Sequence, residues 1–434
     1  MARPRGRTGS QQLFRPGNTN HLPDATFDAL DQETAYTYNR HGQVTSIITP
    51  ASLTTTNIYY TSVGSAGRLQ TTIDLEISRT NAFTWYTNGL LDTHTDERGL
   101  TTTYYWDNLQ RLTGSSFPDS TTTSNLYTYL DLTAAKDRLG YWSYSEYNSI
   151  RQRIVETNAN GVVTGYNYCS CGLLFAVSNA WNTSAQMVTS YAYDNQGNRL
   201  NIYLPDATVS NWFDAPGRLI ETCDAWGCHW FGYNNQGLLV GVTNYFGTEK
   251  YTVFDIEDRA LYVTDANQVT VTNAYDVLGR LATRTYPDGG VEKFGYSARG
   301  LIAYTNQLNL ATYYGYDAGL RKVAETNADT QVILYTNNAA GDLLSLTDGK
   351  LQTTQWGYDL YGRNTNKLDQ AGTQILKYQY DADNRLTNRS DARGVLTYYA
   401  YDRVGNLTNV AYIGGGSGMV SFAYDALNRE GVTH

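Results

Sequence analysis

The segment Tyr-Asp-x-x-Gly-Arg-Leu returns about every 21 residues, and a period of that size commits the chain to a repeat architecture. The cleanest copy is Tyr275-Asp276-Val277-Leu278-Gly279-Arg280-Leu281. Other copies are led by Tyr193 (with Asp194 and Gly197), Phe213 (Asp214, Gly217, Arg218, Leu219) and Tyr358 (Asp359, Gly362, Arg363). Two more are led by Tyr380 (Asp381, Arg385, Leu386) and Tyr401 (Asp402, Gly405, Leu407). With the aromatic as marker, copies also fall at Tyr233, Phe254, Tyr296, Tyr316, Tyr335 and Tyr424. Chains of this kind build surfaces or containers, so an enzyme is not expected.

The motif has a mechanical reading. Asp favours the first position of a type I turn and Gly the fourth. A type I turn followed by a left-handed residue closes a three-residue hairpin loop. Gly takes the left-handed position without a steric penalty, and Asn tolerates it. Asn384, Asn428 and Asp258 replace Gly in three copies, as this reading requires. In such a hairpin Tyr275 faces Leu281, and Asp276 faces Arg280. Cross-strand pairs of this kind are worth roughly 0.2–1 kcal/mol each.

A second aromatic often stands two residues before the marker, as at Tyr191, Phe231, Phe294 and Tyr378. Residues two apart share a strand face, so an aromatic ladder is expected. A second turn lies halfway between markers, for example at Asp96, Asn158, Asp224, Asp369 and Asp391. Each repeat is therefore strand, turn, strand, turn. The stretches around Tyr60, Tyr86, Tyr129, Tyr147 and Tyr168 read as degenerate copies. About 19 copies give roughly 38 antiparallel strands. Open sheets rarely pass about ten strands without curling or splitting, so this all-β sheet is expected to curl into a spiral or hollow shell.

Composition narrows function further. The net charge is −9, without a basic cluster beyond Arg3, Arg5 and Arg7, so nucleic acid is not an expected partner. No apolar run reaches membrane-spanning length, and the N-terminus lacks the apolar core of a signal peptide. His21, His41, His94, His229 and His434 have no partners at informative spacing. No cofactor or metal is expected, and the Gly414–Gly418 run reads as a flexible turn. Cys223 and Cys228 flank one turn, whereas Cys169 and Cys171 sit in a degenerate one. Free thiols, a Cys223–Cys228 disulfide and a metal site all stay open. A four-cysteine zinc site needs pairs about five strands apart to meet.

The repeated Tyr-Asp-x-x-Gly-Arg-Leu, with Tyr286-Pro287-Asp288-Gly289 interleaved, resembles the YD-repeat, or RHS-repeat, family over nearly all of residues 36–429. The resemblance implies a β-hairpin spiral enclosing a cocoon, as in polymorphic toxins, toxin-complex C components, wall-associated proteins and teneurins. It implies a secreted or surface-displayed scaffold, whose partners are other shell segments or an encapsulated effector. The alternative is an adhesion module that holds carbohydrate or a cell-surface protein on aromatic faces.

The chain departs from the toxin pattern. It has no Asp-Pro, no proline after Pro287, and Glu430 where Leu belongs in the last copy. It therefore reads as an incomplete member without plug, protease or effector. Residues 1–35 are expected to be a disordered segment or cap, and 430–434 a truncated tail.

Overall fold

The computed structural model describes residues 11–13, 22–62, 64–414, 416 and 418–430. The expectations for Arg3, Arg5, Arg7, His21 and His434 lie outside the described residues. The described chain is all-β. It forms one sheet of 39 strands, close to the roughly 38 expected, and one short 3-10 turn, Leu75–Ile77. Strands pair antiparallel with their chain neighbours, for example Tyr380↔Leu386 and Glu221↔Trp230. The sheet starts earlier than residue 36. Gln11–Leu13 pairs with Ala25–Phe27, which pairs with Glu33–Tyr38.

The turns have the expected form. At the cleanest copy Asp276 N–H donates to Arg280 O and Gly279 N–H to Asp276 O, each at 2.9 Å. The fourth residue is left-handed: φ is 77° at Gly279, 94° at Gly405, 65° at Asn384, 58° at Asn428 and 62° at Asp258. Marker and motif Leu are cross-strand neighbours, as at Phe213↔Leu219, Tyr233↔Leu239 and Tyr380↔Leu386.

Four marker positions need correction. The turn after Tyr335 begins at Asn338, and its marker position is Asn337, paired with Leu343. Tyr335 is the second aromatic, two residues earlier. Tyr59 and Trp85, not Tyr60 and Tyr86, face the motif position, opposite Leu69 and Leu91. Near Tyr129 the marker is Tyr127, and Thr128 faces Asp131 across a loop of only two residues. The turn at Asp224 is also a two-residue loop, because Asp224 pairs directly with Gly227. Aromatic spacing could not resolve these markers, because aromatic residues also stand one or two positions away from the marker place.

One feature had no marker in the sequence. On the return strand of the YD hairpins an extra residue interrupts the ladder just after the motif Leu. Tyr380 pairs with Leu386 but Gln379 pairs with Asn388, leaving Thr387 over. The same slip skips Val240 opposite Gly232–Tyr233 and Val323 opposite Gly315–Tyr316. Hairpins at the second turns mostly keep register, as Val155↔Gly165 through Thr157↔Val163 does. A bulge bends its strand and increases twist. Repeated at one place per repeat, it supplies the local bend that so many consecutive strands require.

The chain divides into two compact units. One comprises Met1–Thr122, Ala274–Arg284 and Gly290–Leu396. The other comprises Thr123–Asn273, Thr285–Gly289 and Thr397–His434. Most side chains are half-buried, and the fully buried apolar set is short and small, including Ala51, Ile77, Leu100, Ala134 and Ala176. In the first unit, Ala51, Ile77 and Leu100 lie at or beside second turns. There the Arg299 side chain donates to Ala51 O at 3.1 Å. Ile77 lies so close to Gly319 that a Cβ there would come within 2.9 Å. Second turns of that unit thus meet YD turns far away in sequence.

Candidate functional site

The side chains singled out by the repeat converge on the edge formed by the YD turns. The Asp side chain caps its own turn. Asp276 Oδ1 accepts the Leu278 and Arg280 N–H groups, each at 2.9 Å, and Oδ2 accepts Arg280 Nε at 2.7 Å. The same arrangement holds at Asp214–Arg218, Asp359–Arg363 and Asp381–Arg385. At Asp194 and Asp402 the Arg place is filled by Asn198 and Asn406, whose amides donate to the carboxylate at 2.8 Å. Gly197, Gly217 and Gly362 hold the left-handed position, with φ of 86°, 86° and 75°.

These contacts leave an electrostatic trace. The Arg111 guanidinium and then the Arg111 backbone N–H hold the Asp107 carboxyl below the usual carboxylate range. At Asp276 burial pushes upward, but the N–H and guanidinium of Arg280 outweigh it and the group is lowered. Hydrogen bonds to the charged form favour that form.

The Arg also reaches the next hairpin. Arg280 Nη1 donates to Ser297 O at 3.3 Å and Arg363 Nη1 to Asp381 O at 2.6 Å; Arg321 makes the same bond to Asn338 O. Several of these guanidinium groups lie over the next marker ring: Arg218 at 4.7 Å from Tyr233, Arg280 at 4.4 Å from Tyr296, and Arg363 at 5.2 Å from Tyr380. A cation over an aromatic face adds roughly 0.5–1 kcal/mol at exposed sites.

The marker ring is more than an apolar rung. Its hydroxyl donates back to the motif-Leu carbonyl of the previous YD hairpin. Tyr296 reaches Leu281 O at 3.0 Å, Tyr233 reaches Leu219 O at 2.8 Å, Tyr358 reaches Leu343 O at 2.9 Å, and Tyr193 reaches Leu174 O at 2.8 Å. Where Trp takes the place, indole Nε1–H does the same, Trp85 to Leu69 O and Trp106 to Leu91 O. Asn can substitute: Asn337 Nδ2 donates to Lys322 O and Asn211 Nδ2 to Arg199 O. The sequence reading treated these rings as an apolar ladder and missed the bond. The signal was the excess of 38 Tyr over 11 Phe, which asks for an aromatic with a polar tip.

The cysteines fall into two local pairs. Cys223 faces Cys228 across the hairpin and the structure joins them as a disulfide; Cys169 and Cys171 are joined likewise. Glu221 lies beside the first pair, its carboxylate 3.4 Å from Cys223 Sγ. With the sulfurs bonded to each other this trio offers no thiolate, the form in which cysteine binds a metal. His229 Nδ1 contacts Glu249 Oε2 at 3.1 Å. Among the described residues no helix is long and apolar enough to cross a membrane.

The family comparison agrees with the repeat reading. The model of the RHS Repeat matches residues 380–417. No curated protein matched the sequence. Among solved structures, the chain is similar to one titled as TcdB2-TccC3-Cdc42, at 14% identity and TM-score 0.51, over 94% of this chain and 24% of that one. It is similar to another titled as TcdB2-TccC3, at 14% identity and TM-score 0.52, over 97% and 25%. A third is titled as the Photorhabdus luminescens Tc holotoxin pore, at 14% identity and TM-score 0.50, over 98% and 24%. The chain therefore spans about a quarter of the chains it resembles, and the likeness is one of fold. The YD hairpins repeated along the sheet and the match of the RHS Repeat model to residues 380–417 make this chain similar to RHS, or YD-repeat, proteins.

Proposed function

We propose that this chain is a wall segment of an encapsulating β-shell in a secreted or surface-displayed, toxin-like RHS protein. The observation that carries the reading is the stitch between successive YD hairpins: Asp to Arg within one, Arg and Tyr to the next. That stitch commits the polar side chains of the YD turns to building the wall. The fold likeness to Tc toxin chains supports a scaffold role. The enclosed effector, and other segments of the shell, are the partners this reading assigns. The two disulfides suit an oxidising, extracellular compartment.

The test is co-expression of the chain with the rest of its shell and a reporter polypeptide fused where an effector would sit. A wall segment protects the reporter from added protease, and deletion of hairpins 275–358 abolishes protection. A reporter digested at the same rate with and without the chain contradicts the proposal. Thiol titration of the unreduced protein tests the compartment: no reactive thiol is expected, and four would contradict it.

A further inference from the structure

Within each unit, second turns meet YD turns that come about 242 residues later. In the first unit Arg98, in the second turn 96–99, donates to Asp342 Oδ1 at 2.6 Å, and Asp119 N–H donates to the Tyr361 hydroxyl at 3.1 Å. In the second unit Asn160 Nδ2 donates to Asp402 Oδ2 at 2.9 Å, and the Arg403 guanidinium lies 5.9 Å from the Tyr141 ring. Arg98, Asp119 and Asn160 belong to second turns; Asp342, Tyr361, Asp402 and Arg403 belong to YD turns. The contact is thus heterologous: one kind of edge accepts the other kind.

Further along the second-turn edge of the second unit, the chemistry of the tips changes. The consecutive two-residue loops at 225–226 and 245–246 carry Trp226, Tyr245 and Phe246, which are 96%, 87% and 93% exposed. Tyr245 and Phe246 brace each other edge to face at 5.7 Å. Each loop is held by its own cap, Asp224 Oδ1 accepting Trp226 N–H and Asn244 Oδ1 accepting Phe246 N–H, both at 2.8 Å. The loop backbones that carry the rings are therefore each held by a cap.

The YD edge of the same unit carries a matching notch. The loop between Thr128 and Asp131 is shorter than its neighbours, and beside the next turn it leaves a cleft of about 460 Å3. Tyr129, Leu130 and Tyr147 line it, with Tyr129 90% exposed. Arg151 fixes its floor, donating to Asp131 Oδ1 at 2.7 Å and to Leu130 O at 2.9 Å. Aromatic rings fit this lining by edge-to-face packing and by stacking on the guanidinium.

We propose that Trp226, Tyr245 and Phe246 dock into the 128–151 cleft of a second copy of this chain. The proposal rests on the scaffold reading, since it extends the turn-edge seam already inside each unit to a seam between molecules. Three aromatic side chains offer on the order of 500–700 Å2, below the roughly 800 Å2 per partner of a stable interface, so the association is weak. Knob and notch are different surfaces, so the contact does not close on itself and gives a concentration-dependent series of oligomers.

Sedimentation velocity of the whole chain tests this, with a knob variant (Trp226→Ser, Tyr245→Ser, Phe246→Ser) and a notch variant (Tyr129→Ser, Leu130→Ser). Wild type is expected to grow with concentration, and each variant alone to associate at least tenfold more weakly. An equimolar mixture of the two variants retains one intact knob facing one intact notch, and is expected to stop at a dimer. A wild type that stays monomeric, association unchanged by the knob substitutions, or no dimer in the mixture overturns the proposal. So does binding of the tips to phosphatidylcholine vesicles without self-association. Circular dichroism of the same samples separates the two readings: loss of the β spectrum in wild type contradicts the scaffold, whereas folded monomers contradict only the docking.

Discussion

At Asp359 and again at Asp369 the chain makes the same hairpin turn. Both carboxylates accept two backbone N–H groups, Tyr361 and Arg363 in one, Ala371 and Thr373 in the other. Both turns end on a left-handed glycine, Gly362 at 75° and Gly372 at 76°. They differ at the next residue. On the YD edge it is Arg363, which binds Asp359, reaches Asp381 O and covers Tyr380. On the other edge it is Thr373, and the neighbouring copies have Val395 and Leu100 there. One position thus separates an edge whose arginines tie successive hairpins together from an edge without that tie. Most bulges also lie on the tying edge, although the Asp369 hairpin has one too, leaving Ile375 over between Leu368↔Gln374 and Lys367↔Leu376. The plain edge meets distant turns in the seams of each unit.

The largest expected effect contrasts two glycines of this pair of edges. Gly362→Val puts a β-branched residue at positive φ, and its Cβ meets the Arg98 guanidinium. It should cost about 2–4 kcal/mol. Gly394→Val, at φ 79° with open space around it, should cost about 1–2 kcal/mol. Val277→Ala, at a turn position with ordinary φ, should cost far less. Thermal unfolding midpoints check the order, and equal losses for both glycines would remove the seam from the account.

Next come the capping carboxylates. Asp359→Ala loses two caps and the Arg363 bond and should cost about 1–2 kcal/mol; Asp369→Ala loses the caps alone and should cost less. The pH profile sharpens the same contrast. The Asp107 and Asp276 pKa values are lowered in the fold, so their stabilisation is complete above the unfolded value of about 3.9 and is lost as pH falls through the folded values. Unfolding midpoints should be level between about pH 5 and 7 and drop below about pH 4. Arg111→Gln together with Arg280→Gln should make that drop shallower.

The smallest effects concern the marker hydroxyl. Tyr358→Phe removes one bond to Leu343 O and should cost about 1 kcal/mol. Phe213→Tyr should bring no gain, because Asn211 already donates to Arg199 O, the carbonyl a hydroxyl would seek.

The two turns, the left-handed residues and the Asp–Arg pairing were legible because each is local, spanning seven residues or fewer, and the period was legible because that short motif recurs along the chain. Tyr358 and Leu343 are 15 residues apart in different hairpins, so their bond could be read only once the strands were laid side by side. The bulge at Thr387 leaves no residue signature, since a threonine there also suits a regular strand. Asn337 in the marker place broke the aromatic rule because its amide performs the donor role without a ring. The seams at Arg98 and Asn160 depend on where the sheet returns after about 242 residues, which no seven-residue motif encodes.

Hydrogen exchange read by mass spectrometry tests the central claim most directly, comparing the YD-edge segments 275–281 and 358–364 with the second-edge segments 369–373 and 391–395. The stitch predicts slower exchange at Asp276, Gly279, Asp359 and Gly362 than at Asp369, Gly372, Asp391 and Gly394, and loss of that difference in Arg280→Ala and Arg363→Ala at the respective hairpins. Equal exchange on both edges, or protection unaffected by removing the arginines, would contradict it.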